Sequence, residues 1–246
     1  MRNNGRKNDE LRSIKFVRDY IIYPEGSILI ESENTKILCN VSILENQQPP
    51  HLKNTNKGWI TAEYSLLPRS TIMRINREVV TGKIKGRTYE IQRLIGRALR
   101  AIIELEAIGP TTVWIDCDVL QADGGTRTAS INGAFLALVL AMKKFKEKNK
   151  IEKQIIRNYL SAISVGIVNN EILLDLNFEE DNKAQVDMNV VMDAENNYIE
   201  IQTTAEKKVF NQEQLLKMLD YAKKGCNEII ELEKVFLTEL GINELP

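Results

Sequence analysis

Ile115-Asp-Cys-Asp-Val-Leu-Gln-Ala-Asp-Gly-Gly-Thr-Arg-Thr-Ala-Ser130 changes character in its middle. Thr111–Leu120 has the alternation of a strand, while Ser130–Phe145 is rich in Ala and Leu and reads as a helix. Between them, Gly124 and Gly125 lack the Cβ that would crowd a tight turn, so the backbone can expose N–H groups there. The helix points its N-terminus, the positive end of its dipole, at that turn. Thr126 adds a hydroxyl donor, and Arg127 adds a planar fork suited to two phosphate oxygens. The stretch reads as strand, oxyanion cradle, helix. A plain turn with an N-cap would use the same residues, and spacing alone leaves both readings open. The pattern is not G-x-x-x-x-G-K-[ST], so it gives no support to an NTPase.

Outward from this stretch, strands come first and helices follow, twice over. Ile14–Tyr20, Ser27–Glu31, Lys36–Ile43 and Trp59–Leu67 read as strands, with turns at Pro24–Gly26 and Glu33–Asn34 and a polar loop from Glu45 to Gly58. From Glu90, the residues Ile91, Leu94, Ile95, Ala98, Leu99, Ile102 and Ile103 recur at helical spacing, and Gly109–Pro110 is the stop signal. Ala162–Val168 and Glu171–Asn177 form a hairpin pattern around Asn169–Asn170. Val186–Met192 and Tyr198–Thr203 form another. A long amphipathic helix follows from Gln212 to Leu237, with a capping box from Asn211 and Gln214. These patterns predict an α+β fold with helices packed on sheets, and Asn149–Lys153 marks the boundary between halves 1–150 and 151–246.

The 246 residues are 43% hydrophobic but only 6% aromatic, so the core must be aliphatic. Cys39, Cys117 and Cys226 are odd in number and widely spaced, which argues against a disulfide framework or a zinc site. Each lies among apolar residues and reads as a small core hydrophobe. The start lacks the apolar stretch of a signal peptide, and no apolar run approaches a membrane span. The expectation is a soluble, reduced, cytoplasmic protein with no membrane partner.

The net charge is −1, so a nucleic-acid partner would require local positive charge. Pro68 to Arg87 supplies it, with Arg69, Arg74, Arg77, Lys83, Lys85 and Arg87 against Glu78 alone. A polyanion track and a solvated loop both fit this pattern. Further on, Glu179-Glu180-Asp181 and Asp187 flank Asn182–Val186. Two carboxylates from neighbouring elements can hold Mg²⁺, although a solvated acidic turn has the same composition. Asp187 adjoins the apolar run Met188–Met192, where a charge needs a partner. His51, the single histidine, sits in a polar loop and reads as an exposed bystander, which leaves Ser-His-Asp and Cys-His chemistry without support.

Gly58-Trp-Ile-Thr-Ala-Glu-Tyr64, Leu67-Pro-Arg-Ser-Thr71, Gly86-Arg-Thr88, Glu90-Ile-Gln-Arg-Leu-Ile-Gly-Arg97, the stretch Ile115–Ser130, Ser164-Val-Gly-Ile-Val168 and Val186-Asp-Met-Asn-Val-Val191 closely resemble the bacterial RNase PH family. The resemblance runs from Arg2 into the C-terminal helix. It implies a single RNase PH domain over 1–246, built of two similar β-α-β-containing halves with helices packed on mixed sheets. It implies a phosphate-dependent 3′→5′ exoribonuclease that trims tRNA precursors and other RNA 3′ ends, including in rRNA processing, and releases nucleoside diphosphates reversibly. By resemblance, Arg87, Gly125, Thr126 and Arg127 bind inorganic phosphate, Arg69, Arg74 and Arg77 hold RNA, and Asp181 and Asp187 are needed for activity. The two aspartates hold Mg²⁺, or one of them serves as a general acid. A homohexamer, a trimer of dimers, is implied too. Lys85, Ile72, Met73, Thr203 and Lys207 depart from the family pattern without removing a residue assigned to chemistry. The alternative is a non-catalytic RNA-binding ring subunit, which should have lost some of these arginines and aspartates.

Replacing Arg69, Arg74 and Arg77 together by glutamine is expected to weaken RNA binding and flatten its dependence on salt. Binding measured across a salt series checks this, and an unchanged slope would place the RNA track elsewhere.

Overall fold

The structure is a computed structural model describing residues 2, 5–82 and 84–246. Lys83 of the basic stretch lies outside the described residues. Strands β1 (Ile14–Arg18), β2 (Gly26–Ser32) and β3 (Thr35–Leu44) form an antiparallel meander. β5 (Thr112–Gln121) adds antiparallel to β3, and β4 (Trp59–Leu66) adds parallel to β5, giving the order β1-β2-β3-β5-β4. The parallel pair needs a crossover, which α1 (Gly86–Arg100) supplies.

The second sheet comprises β6 (Leu160–Val168), β7 (Glu171–Leu174), β8 (Val186–Asp193) and β9 (Tyr198–Ala205) in the order β7-β6-β8-β9. It is antiparallel throughout, so the mixed pairing belongs to the first sheet alone. Asn169 and Asn170 turn the β6–β7 hairpin with φ of 51° and 63°, the double left-handed geometry of a two-residue turn.

Helix α2 (Thr126–Asn149) lies between the sheets, packed on β2 and β3 of one and β6 of the other. The fit on β2 is so close that a Cβ on Gly26 would stand 2.0 Å from the Ala137 carbonyl oxygen. By length and composition α2 could cross a membrane, but it is covered almost all round. α4 (Gln212–Glu239) closes the far face of the second sheet, and its capping box at Asn211 and Gln214 forms as the sequence predicts. β6 therefore lies between two helices. Leu160 and Ala162 join the core around α2, while Ile163, Val165 and Ile167 join the core beneath α4. Burial on both faces explains why the strand is mostly apolar without strict alternation, its two serines, Ser161 and Ser164, being buried as well.

Three expected elements change. The apolar period from Ile91 runs to Ile103, but α1 ends at Arg100. Glu104 N–H donates to the Ile155 carbonyl and Arg157 N–H to the Ile102 carbonyl, so pairing with the inter-half segment takes over from the helix. α2 starts at Thr126 rather than Ser130, which brings Thr126 and Arg127 into its first turn. Phe178–Lys183 is a short helix, α3, rather than a turn, because Asn177 and Glu180 form a capping box. All three cysteines are buried and free, as expected of core residues.

Two buried polar groups differ in their support. Asn132 of α2 accepts from Ala162 N–H at 2.7 Å and donates to its carbonyl at 3.0 Å, serving the β6 edge where β7 has ended. Both carboxylate oxygens of Glu233 on α4 are buried without a hydrogen-bond partner among the described residues. Burial pushes that carboxyl well above its ordinary range, so the fold favours the neutral acid.

Asn132→Ala strands two buried backbone groups and is expected to cost about 2–4 kcal/mol. Urea unfolding should show a lower midpoint at unchanged slope. An unchanged midpoint would mean that the two halves do not depend on this bridge.

Candidate active site

Along β8, Val186, Met188, Val190 and Met192 enter the core beneath α4. A strand's period of two then sends Asp187 and Asn189 to the opposite face, towards the start of α2. There Asp187 accepts from Arg127 Nη2 at 2.6 Å and from Asn189 Nδ2 at 3.3 Å. The partner that the sequence demands for Asp187 is thus Arg127.

The start of α2 is built as the two glycines foretell. Gly124 and Gly125 have φ of 78° and 64°. A Cβ on Gly124 would approach the Leu176 carbonyl oxygen to 2.5 Å, so only glycine fits there. Gly125 is the N-cap and has no side chain to satisfy the first amides of α2, which stay open to an anion. Thr126 Oγ1 accepts from the Tyr64 hydroxyl at 2.9 Å, which leaves its own proton to donate. Burial pushes the Tyr64 phenol up, so Tyr64 remains a donor.

Arg87 stands in the first turn of α1. Glu78, the sole acid of the basic stretch, folds back on that helix start, accepting from Lys85 N–H at 3.1 Å and the Thr88 hydroxyl at 2.9 Å. Asp181 lies on α3. Burial and then the nearby Asp187 push its carboxyl above the ordinary 3.8, against the pull of Arg127 and Arg87. A cleft of about 790 Å³ and a smaller cavity of about 180 Å³ share Arg87, Arg127, Asp181, Asp187 and Asn189 in their walls. Gly125 and Thr126 line the smaller one. The fold therefore brings together every residue named for phosphate and every residue named for metal.

The carboxylates suit a hard divalent cation. Asp181 and Asp187 are close enough to raise the cost of charging Asp181, a cost that a cation would relieve. The described residues hold no cluster of three or more His, Cys, Asp or Glu. Mg²⁺ accepts that, because it normally takes one or two carboxylates and completes its shell with water and phosphate oxygens.

Arg69, Arg74 and Arg77 are exposed and line neither cavity. Thr71 and Ile72 of the same loop do reach the smaller one. Arg74 donates to Asn76 Oδ1 at 2.8 Å, and Arg77 lies close enough to Asp118 to offset part of the burial that pushes that carboxyl up. On α1, Arg97 pairs with Glu200, and Arg100 sits 4.4 Å over the Trp59 ring, so both are structural. His51 is exposed, with its ring edge-on to Trp59. Of the departures from the family pattern, Thr203 and Lys207 line the large cleft, and Lys207 Nζ donates to the Asn182 carbonyl at 2.6 Å. Sequence reasoning passed over Tyr64 and Asn189. Their signal is register, which strand alternation carries only once the buried face is known.

Residues 10–144 match the first domain of the 3′ exoribonuclease family, and residues 158–225 match its second. Ribonuclease PH of Bacillus subtilis strain 168 is 55% identical over 238 residues, 96% of this chain and 97% of that protein. Ribonuclease PH of Bacillus pumilus strain SAFR-032 is 54% identical over 241 residues, 98% and 99% of the two chains. The Archaeoglobus fulgidus exosome with RNA bound to the active site superposes with a TM-score of 0.79 at 20% identity, over 94% of this chain and 91% of that one. Rice Rrp46 gives 0.76 at 20% identity, over 96% and 100%. At such identity the two structures speak for the fold alone.

Asp181 is expected to titrate above 3.8 in the metal-free protein and to fall in Asp187→Asn, which removes the repelling neighbour and frees Arg127. Since a metal binds the ionised form, Mg²⁺ affinity should weaken as pH falls through the raised value. Carbon-13 carboxyl NMR reads the titration. An Asp181 value that is the same in both proteins would contradict the coupling.

Proposed function

The chain belongs to the 3′ exoribonuclease family and is a phosphorolytic 3′→5′ exoribonuclease, and on that premise we propose that the shared wall of the two cavities is where inorganic phosphate meets the RNA 3′ end. Arg87, Arg127, the Thr126 hydroxyl and the Gly125 amide hold the phosphate. The observation that carries this reading is the convergence of both arginines on the open N-terminus of α2.

The reaction needs little covalent help from the protein. A phosphate oxygen attacks the phosphorus of the last phosphodiester, and the bond to the 3′ oxygen of the penultimate nucleoside breaks. The terminal nucleotide leaves as a nucleoside diphosphate, and the shortened RNA regains its 3′ hydroxyl. The attacking group is already an anion, so no strong general base is required. Positioning and stabilisation of charge supply the rate. Asp181 and Asp187 hold Mg²⁺, which when bound neutralises charge on the reacting phosphates. In the alternative arrangement one of the two aspartates leaves the metal and serves instead as the general acid that delivers the proton to the departing 3′ oxygen. The bond made resembles the bond broken, so the reaction runs backwards from nucleoside diphosphates.

The substrates proposed are tRNA precursors with extra 3′ nucleotides and other RNA 3′ ends, with the exposed Arg69, Arg74 and Arg77 meeting the RNA outside the cleft. Assembly as a homohexamer, a trimer of dimers, follows from the family resemblance. Three free, buried thiols fit a reducing cytoplasm.

With a 3′-extended tRNA precursor and Mg²⁺, nucleoside diphosphates are expected only when inorganic phosphate is added. Arg127→Ala should lower that turnover by about 10²–10³-fold while RNA binding persists. Monophosphates released without phosphate, or an unimpaired Arg127→Ala, would overturn the assignment.

A further inference from the structure

Three arginines near the N-terminus are buried although the chemistry above leaves them unused. Arg2, Arg6 and Arg12 are 7%, 8% and 3% exposed. A guanidinium is kept at such depth only by close partners. Those partners, Asp175 and Glu180, flank the two parts of the site.

Arg12 makes a two-pronged pair with Asp175, Nη2 to Oδ1 at 2.6 Å and Nε to Oδ2 at 3.0 Å. Its Nη1 donates to the Asp123 carbonyl at 2.7 Å, and Nη1 and Nη2 both lie 3.4 Å from the Gly124 carbonyl oxygen. The Thr35 hydroxyl donates to that same Gly124 oxygen at 2.8 Å and accepts from Asp123 N–H at 3.0 Å. In a planar trans peptide the carbonyl and the following N–H point opposite ways. Holding the Gly124 carbonyl towards Arg12 and Thr35 therefore turns the Gly125 N–H away from them.

Arg2 grips Glu180 in the same fashion, Nε to Oε1 and Nη2 to Oε2, both at 2.7 Å. Its Nη1 reaches the Leu174 carbonyl at 2.8 Å and its Nη2 the Asp175 carbonyl at 3.0 Å. Glu180 belongs to the capping box of α3, where its carboxylate accepts from Asn177 N–H at 3.1 Å and its own N–H donates to Asn177 Oδ1 at 3.0 Å. A helix of six residues cannot hold itself in place. Asp181 is the next residue along, so its placement depends on this clamp.

We propose that the N-terminal arm is a positioning strap for the reaction: Arg12 with Thr35 aims the Gly125 amide at phosphate, and Arg2 through Glu180 sets Asp181 for the metal. The proposal rests on the roles given above to Gly125 and Asp181.

The strap predicts that its two clamps fail separately. Thr35→Val and Arg12→Lys test the first clamp, and Asn177→Ala and Arg2→Lys test the second. Thr35→Val and Asn177→Ala keep every buried charge paired, so they remain informative if an arginine variant fails to fold. In the full-length protein, phosphorolysis gives KM and kcat, calorimetry without RNA gives Mg²⁺ affinity, and thermal melts report the fold. First-clamp variants should raise the phosphate KM by about tenfold with Mg²⁺ affinity kept. Second-clamp variants should weaken Mg²⁺ binding by about tenfold with the phosphate KM kept. Folded variants that shift neither constant, or shift both together, would overturn the strap. Arg127→Ala and Asp181→Asn run alongside. If they fail to change phosphate KM and Mg²⁺ affinity respectively, the roles beneath the proposal fall. If they do change them and the clamp variants do not, the strap alone falls.

Discussion

A helix enclosed on all sides meets solvent only at its ends, and α2 is such a helix. Sheets on both sides fix its axis, with Gly26 allowing one close approach and Asn132 bridging to β6 on the other. What α2 can offer chemistry is therefore its N-terminus, where Gly125 leaves the first amides open and Arg127 projects from the first turn. The helix dipole, the open amides and the guanidinium all favour an anion at one place. Because α2 cannot shift without disturbing both sheets, that place is pre-organised.

The remaining charges are arranged around this end. Asp187 comes from the strand face opposite the α4 core, Asp181 from a short helix, and Arg87 from the start of α1. They stand close enough that Asp187 adds to the burial that raises the carboxyl of Asp181, while Arg127 and Arg87 offset part of that rise. Opposed charges at short range leave each group responsive to its neighbours, so a phosphate or a cation entering the cleft changes the state of the others. The buried arginines of the N-terminal arm keep this arrangement in place from behind.

Much of this was readable in the sequence, and the misreadings have physical causes. β2, β3, β4, β5 and the two hairpins follow from alternation and turn residues. The long C-terminal helix follows from its period and capping box. The residues proposed to hold phosphate follow from the glycine pair and Arg127 together with the family motifs. Ile102 and Ile103 continue the helical period of α1 but are drawn into pairing with 155–157, a long-range choice that local spacing does not carry. α3 is hidden in the sequence because Asn177 closes the strand pattern Glu171–Asn177 while Glu180 falls in the acidic run after it, so the capping box that joins them is split between two patterns. Arg2, Arg6 and Arg12 look like ordinary surface cations until Asp175 and Glu180, more than 160 residues away, are placed beside them.

The most direct test of the pre-organised α2 terminus is a crystal structure of the protein soaked in inorganic phosphate without RNA. Phosphate seated against the Gly125 amide and the Thr126 hydroxyl, between the guanidinium groups of Arg87 and Arg127, is the expected result. Phosphate bound only along the exposed arginines of the 69–77 loop, with the start of α2 bare, would contradict it.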